Sequence, residues 1–349
     1  MRLALRGGNP LERAALRANL VPTPAAEAWG GVAMSGVLVA AVRTGIVARL
    51  AGAPAPAAQI AADLGLAPSP TRLLLDCLVS TGHVRRGRDG SLRLARRNRR
   101  WLDPASEIGV ARFVNACGDY FDWWRDLDRL LVAGTPVEHH DRPPEDPYWR
   151  RYILGQLDLA RLSAAEVARR LDLPAGARSV LDVGGGHGWY AAMLCRAHPG
   201  LTATVLDLPG SARVGRDVIE AAGLSHLVSF LEGDARQAEF PPDQDAVLCF
   251  NLLHHLTEAE IPALFARAHA ALNPGGTLAI LDAFAEPARA RTDAAATHLA
   301  LFVRLTSGST VHRPDQLTAW LHAAGFTPPR RVRTARIPGL ALYQAGKRR

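Results

Sequence analysis

The feature that most constrains this chain is a strand-like run at residues 179–183 followed at once by Gly184, Gly186 and Gly188 and then by a helical pattern. A backbone without Cβ atoms can turn sharply there and approach a ligand beside a helix N-terminus. From residue 177 onward, short apolar runs keep alternating with helical patterns, at 179–183, 202–206, 227–232, 246–251 and 277–281. Such a series predicts an α/β fold with a mostly parallel sheet covered on both faces. The last two runs, 331–337 and 340–345, are joined by Pro338-Gly339, a link that suits an antiparallel hairpin at the sheet's edge.

The first third of the chain reads differently. A helical stretch lies within residues 24–50, a short helix spans 57–64 up to Gly65, and Pro68, Ser69 and Pro70 open a third carrying Leu73, Leu74, Leu75, Cys77 and Leu78. Residues 84–88, Asp89-Gly90 and 91–94 then form a basic hairpin with a two-residue turn signal. Helix, turn, helix and hairpin make a winged-helix pattern, shared by DNA-binding domains and by domains that bind no DNA. The helix of residues 71–79 has Arg72 and Asp76 as its main polar groups, too few to read bases in a major groove, so packing against a partner chain fits better.

Charge supports that reading. The net charge is +8, yet up to residue 105 there are 15 arginines against 6 acidic residues, so the excess is local. Arg85, Arg86, Arg88, Arg93, Arg96, Arg97, Arg99 and Arg100 crowd one segment with no aromatic until Trp101, the pattern of a solvated face and not of a nucleic-acid site. Lys347 is the only lysine, so arginine is a compositional habit of this sequence. The longest apolar stretch, residues 31–41, is too short to cross a bilayer and no signal pattern precedes it, which predicts a cytoplasmic protein. Cys77, Cys117, Cys195 and Cys249 lack metal or redox spacing and read as small buried hydrophobes. Residues 106–170 are helical and aromatic, with Tyr120, Phe121, Trp123, Trp124, Tyr148, Trp149 and Tyr152 available for core packing or for a planar ligand. His139-His140 between them reads as a solvated loop pair, and no metal site is expected.

The glycine turn by itself admits more than one ligand. A dinucleotide fingerprint needs a third glycine at position 189, where Trp189 stands, so a pyrophosphate is the weaker reading. Asp207 ends the second strand 23 residues after Gly184, where a carboxylate can accept from both ribose hydroxyls. Gly233-Asp234-Ala235 follows the third strand, within reach of an adenine amino group. Each alone could be a helix cap or a turn former.

The stretches Val180-Leu-Asp-Val-Gly-Gly-Gly-His-Gly188, Leu206-Asp-Leu-Pro209, Gly233-Asp-Ala235, Asn251-Leu-Leu-His-His255 and Asn273-Pro-Gly-Gly276, with the winged helix ahead of them, resemble the class I S-adenosylmethionine-dependent methyltransferases. The likeness is nearest to small-molecule O-methyltransferases of the plant caffeate and bacterial polyketide or phenazine type. The resemblance implies a Rossmann-like methyltransferase fold, a seven-stranded sheet with its last strand antiparallel, and an N-terminal winged-helix dimerisation domain. It implies a division into residues 1–105, a helical linker and substrate-lid region at 106–170, and a cofactor domain at 171–349. It places S-adenosylmethionine on Asp182, Gly184, Gly186, Gly188, Asp207, Leu208, Asp234, Ala235 and Phe250. It selects His254 as general base with Asp282 orienting it, and Phe121, Trp124, Gln156 and His255 toward an aromatic acceptor.

Two positions depart from that family. A further glutamate is usual before the last long helix, where this chain has Val311 or His312, and Gln156 stands where a substrate-clamping methionine is common. The expectation is therefore a homodimeric O-methyltransferase acting on a hydroxylated aromatic small molecule of secondary metabolism. N- or C-methylation, or a relative that transfers no methyl group, is the neighbouring alternative. A nicotinamide oxidoreductase and a winged-helix transcription regulator are the alternatives of other classes.

Overall fold

The computed structural model describes residues 7–137, 140–285, 294–335 and 339–348, with only backbone described at 294–296. The chain divides into two compact units, Met1–Phe121 and Asp122–Arg349, and the boundary falls inside one helix.

The first unit runs α1 (Pro10–Arg17), α2 (Thr23–Arg43), α3 (Ile46–Ala51), α4 (Ala57–Asp63), α5 (Pro68–Ser80), β1 (Val84–Arg86), β2 (Leu92–Leu94), α6 (Arg96–Leu102) and the greater part of α7 (Ala111–Arg125). Gly45, at φ 78°, separates α2 from α3. Ile46, Leu50, Ile60, Leu75, Leu78, Val84 and Leu92 form one core, each such burial contributing about 1.5–3 kcal/mol. The strands β1 and β2 pair Val84 with Leu94 and are joined through residues 87–91, a wider link than the expected two-residue turn. Asp89 closes it by accepting the Ser91 N–H at 3.1 Å. On α5, Asp76 pairs with Arg72 and with Arg86 of the wing.

Two expectations for this unit are corrected. The apolar stretch at 31–41 is part of a longer apolar helix: α2, in the region where a helix was expected, has 21 residues and is long and apolar enough, by length and composition, to cross a membrane. Ala25, Ala26, Ala28 and Trp29 extend the helix before Gly31. Its C-terminal turns join the core through buried Val39 and Ala41, whereas Trp29, Val32 and Met34 are 76%, 71% and 51% exposed. The second correction is Cys77, which lies on the solvent side of α5 while Cys195 and Cys249 are buried as expected.

The second unit continues with α8 (Leu127–Ala133), α9 (Pro147–Arg161), α10 (Ala164–Arg170), β3 (Ser179–Val183), α11 (Trp189–Ala197), β4 (Thr202–Asp207), α12 (Pro209–Ala221), β5 (Val228–Glu232) and β6 (Gln244–Phe250). After β6 come α13 (Ile261–Ala271), β7 (Leu272–Asp282), α14 (Ala294–Ser307), α15 (Pro314–Ala323), β8 (Arg330–Val332) and β9 (Ala341–Gly346). The strand order is β5-β4-β3-β6-β7-β9-β8, parallel from β5 to β7, with β9 antiparallel to both its neighbours. The run expected at 277–281 starts earlier, because residues 272–276 continue β7 through a register shift opposite Gln244 and Ala246. The run expected at 331–337 ends as strand at Val332, and residues 336–338 lie outside the described residues.

Alternate side chains of the central strands feed two cores. Val180, Leu248 and Phe250 pack with Val167, Ala191 and Leu194 on one face. Leu181, Val183 and Val247 meet Leu264, Phe265 and Leu317 on the other. Strand order reverses between β3 and β6, and in open α/β sheets the crevice beyond such a switch point is where ligands bind. The glycine turn leaving β3 and the segment leaving β6 meet there, since a Cβ on Gly184 would lie 2.9 Å from Leu252.

The helix α12 presses against the same turn. At Gly215 a Cβ would stand 2.4 Å from the Gly186 carbonyl oxygen and 2.5 Å from the Phe230 ring. Backbone and aromatic ring cannot both yield, so Gly215→Ala is expected to destabilise the protein by about 1–3 kcal/mol as an overpacked site, read as a lower urea midpoint.

Candidate active site

Gly184, Gly186 and Gly188 hold φ values of 69°, 53° and 67°, a left-handed backbone that side chains disfavour. This explains their alternate spacing, and Gly188 caps α11. Between them His187 is buried, and its Nδ1 accepts the Trp189 N–H at 3.0 Å. Burial, and then the nearby Arg161 charge, push that imidazole down to about 3, so it is neutral. The Arg161 guanidinium also sits 5.1 Å over the Trp189 ring, which occupies the position a dinucleotide site gives to glycine.

Carboxylates gather around the turn. Asp207, at the end of β4, accepts the Gly186 N–H at 2.7 Å through one oxygen and the Leu208 N–H at 2.7 Å through the other. Desolvation raises its pKa, with Asp234 adding to the rise and the two backbone donors opposing it. Asp182, on β3, is 1% exposed, and neither of its oxygens has a hydrogen-bond partner among the described residues. Burial and then Asp207 push its carboxyl up to about 7. A buried carboxylate left unpartnered beside a second one is stabilised by whatever brings a positive charge or donors to it. Asp234 accepts the Arg236 N–H at 2.8 Å and pairs with that guanidinium at 3.6 Å. Ala235 beside it is buried, its carbonyl oxygen held by Arg267. The Phe250 ring faces the core, 5.2 Å from Tyr190, so only its backbone reaches the sheet edge.

Beyond β6 the chain turns through Asn251, at φ 52°, a conformation that asparagine tolerates. One 3₁₀ turn, Leu253–His255, follows. It delivers His254 to Asp282 at the end of β7, Nδ1 to Oδ1, at 2.6 Å. Asp282 is 1% exposed and accepts the Leu253 N–H at 2.9 Å and the Ala283 N–H at 2.7 Å. With Nδ1 directed at a carboxylate, Nε2 is the nitrogen that His254 can offer to a substrate. The His255 ring lies 4.3 Å from that of His254, and its Nδ1 lies 2.7 Å from the Ser307 hydroxyl on α14.

The remaining expected residues are placed as follows. Gln156 is half-buried on α9, one turn beyond Ile153, whose side chain reaches Gly186. Trp124 packs on Phe302 of α14 at 5.6 Å, as does the more deeply buried Trp123 at 5.8 Å. Phe121 closes the first unit and is 36% exposed.

Two histidines were not recognised from the sequence. His139 lies outside the described residues, but His140 is no solvated loop residue: it stacks on Trp149 at 5.7 Å and meets Tyr152 at 5.2 Å and His255 at 5.4 Å. The proline-rich segment around it hides this packing, because only the fold brings α9 and the 3₁₀ turn to it. His312 is buried, with Nε2 at 3.0 Å from the Leu253 carbonyl and 3.1 Å from that of Leu256, and Val311 beside it is buried too.

The sequence pattern of the O-methyltransferase domain matches residues 134–327. The chain is 30% identical over 337 residues to 3-hydroxy-5-methyl-1-naphthoate 3-O-methyltransferase of Streptomyces sahachiroi, covering 93% of this chain and 95% of that one. It is 30% identical over 327 residues to the tetracenomycin polyketide synthesis 8-O-methyl transferase TcmO of Streptomyces glaucescens, covering 90% and 93%. Human N-acetylserotonin methyltransferase in complex with S-adenosylmethionine shares the fold, with a TM-score of 0.83 at 20% identity over 98% of this chain and 100% of that one. The chain thus belongs to the O-methyltransferase domain family and is an S-adenosylmethionine-dependent methyltransferase.

Proposed function

We propose that this enzyme methylates a hydroxyl group of an aromatic small molecule of secondary metabolism, with His254 as general base and Asp282 orienting it. The 2.6 Å contact between these two side chains, at the crevice where strand order reverses, carries the reading. The named relatives act on a naphthoate hydroxyl and in tetracenomycin polyketide synthesis, which supports an aromatic acceptor.

The cofactor supplies an electrophilic methyl group on a sulfonium. The residues present suit such a cation: the glycine turn offers an open backbone, Asp207 can accept from a ribose, and Asp182 is a buried carboxylate lacking a donor. Leu208, Asp234 and Ala235 line the same edge, and the Phe250 backbone closes it. On the acceptor side, His254 Nε2 takes the hydroxyl proton as the new bond forms. A phenol near pKa 10 and an imidazole near 6.5 exchange a proton readily at that stage. Asp282 keeps Nδ1 protonated and stabilises the imidazolium that results. Within the second unit, Trp124, Gln156 and His255 are the residues this reading assigns to the acceptor.

The exposed Trp29, Val32 and Met34 of α2 are best covered by a second copy of the chain. Val39 and Ala41, at the other end of the same helix, belong to the first unit's own core, which suits a protein interface better than a bilayer. We therefore read the enzyme as a cytoplasmic homodimer that uses neither membrane nor nucleic acid. Asp76, by pairing with Arg72 and Arg86, diverts part of the wing's charge from phosphates. Trp29→Glu with Met34→Glu is expected to give a folded monomer by light scattering. A dimer that persists would assign the interface elsewhere.

Incubation with labelled S-adenosylmethionine and a panel of naphthols, hydroxynaphthoates and hydroxyquinones tests the activity directly. His254→Ala should lower kcat by about 10²–10⁴ with little change in KM, and Asp282→Asn by about 10². Unchanged turnover in His254→Ala would remove the base while leaving the family intact.

Asp182 makes cofactor binding depend on pH. Its carboxyl is raised to about 7 in the folded protein, against about 3.9 unfolded, so between those values the folded state holds a proton that the unfolded chain has released. Cofactor-free stability therefore falls as pH climbs through this window. Affinity for the cationic cofactor rises near its upper end, as Asp182 ionises. Calorimetric titration across neutral pH should show the rise, and Asp182→Asn should flatten it.

A further inference from the structure

We propose that His312 is a positioning residue for the base: it holds the turn carrying His254 against the strand end carrying Asp282. The inference rests on the reading of His254 as base and adds a residue that touches neither cofactor nor acceptor.

The His312 side chain and backbone grip two different elements. Nε2 lies 3.0 Å from the Leu253 carbonyl and 3.1 Å from the Leu256 carbonyl, the residues that bracket His254 and His255. Carbonyl oxygens only accept, so Nε2 carries a proton and donates to both. Nδ1 is buried without a hydrogen-bond partner among the described residues, so the polar contacts of the ring run through Nε2. The backbone carbonyl of the same residue accepts the Ala285 N–H at 2.9 Å, three residues beyond Asp282. One residue thus bridges the base and the carboxylate that orients it.

The neighbourhood keeps the bridge in place. His312 is 2% exposed, and the Trp320 ring of α15 meets it edge-on at 5.1 Å. Ser309 is also buried and donates its hydroxyl to the Leu256 carbonyl, so the segment between α14 and α15 fastens that end of the turn twice. Val311, between the two anchors, brings no charge to the base. What this segment supplies toward His254 is backbone fixation, and a hydrogen-bonding pair at 2.6 Å is sensitive to it because small displacements of reacting groups are costly.

The test compares full-length His312→Leu, which removes the donor, with His312→Gln, whose amide can reach the same carbonyls. Proton spectra with S-adenosylhomocysteine bound report the His254 Nδ1–H resonance, identified by its loss in His254→Ala. Turnover of whichever hydroxynaphthoate the enzyme accepts reports kcat and KM. His312→Leu is expected to shift or broaden that resonance and to lower kcat by roughly tenfold to a hundredfold, with the KM for cofactor unchanged. His312→Gln should restore both. An unshifted resonance or an undiminished kcat in His312→Leu overturns the proposal, as does failure of His312→Gln to recover while it binds S-adenosylhomocysteine normally. Should His312→Leu not fold, Ser309→Ala replaces it, with a smaller loss of kcat and a shifted resonance expected and unaltered values counting against. If His254→Ala retains turnover, the base reading fails and this inference with it. If His254→Ala is inactive and His312→Leu is not, only this inference fails.

Discussion

The close approach of Gly215 to the Gly186 carbonyl seats α12 directly on the glycine turn, and the geometry of the site follows from that contact. The helix begins just after Asp207, so its position decides where that carboxylate sits. Asp207 in turn accepts the Gly186 N–H and fixes the turn. The turn packs through Gly184 on Leu252, the residue before the 3₁₀ turn that carries His254. Small residues at successive backbone contacts thus transmit one packing decision from a helix on the sheet's face to the turn that carries His254 beyond β6. Interiors packed this densely have little slack to absorb an extra methyl group.

Charge is divided across the same edge. On the β3 and β4 side, burial raises the pKa of both Asp182 and Asp207, with Asp207 adding to the rise at Asp182 and Asp234 to that at Asp207, whereas Asp282 on β7 is held by backbone amides and one imidazole. The first group suits a ligand that arrives with positive charge and leaves without it. The second suits a proton that comes from a neutral acceptor. The two carboxylate environments stand on strands of the same sheet and differ in their donors: Asp282 meets an imidazole as well as backbone amides, whereas Asp182 meets no donor among the described residues.

How much of this the sequence disclosed depends on the range of the interaction. The strand at 179–183 was legible to the residue, because Val180, Leu181 and Val183, with Asp182 among them, form a short run that ends where the glycines begin. His254 and Asp282 were legible through family resemblance and through their common placement at strand ends. A helix within residues 24–50 was legible too, but the apolar length of α2 was not, since the stretch at 31–41 leaves out the alanines and Trp29 in the turns before Gly31. Cys77 looked buried because it stands among leucines, yet one position in a helix decides which side faces water. His140 and His312 were illegible for a stronger reason: each also meets a residue far along the chain, His255 being over a hundred residues from His140 and Leu253 over fifty from His312. No local periodicity encodes such a meeting.

The position of β9 bears on how such an enzyme comes into being. It lies between β7 and the edge strand β8, pairing Ala341 with Asp282 and Leu342 with Leu281, although it follows both in the chain. Until it is made, β7 presents an unpaired row of backbone groups, the kind of open edge that invites association with other chains. A nascent polypeptide can complete the glycine turn and the half-sheet around it long before the strand bearing Asp282 gains its last neighbour. Completion of the strand that bears Asp282 is therefore tied to release of residues 341–346 from the ribosome, while the glycine-turn side is free to form earlier.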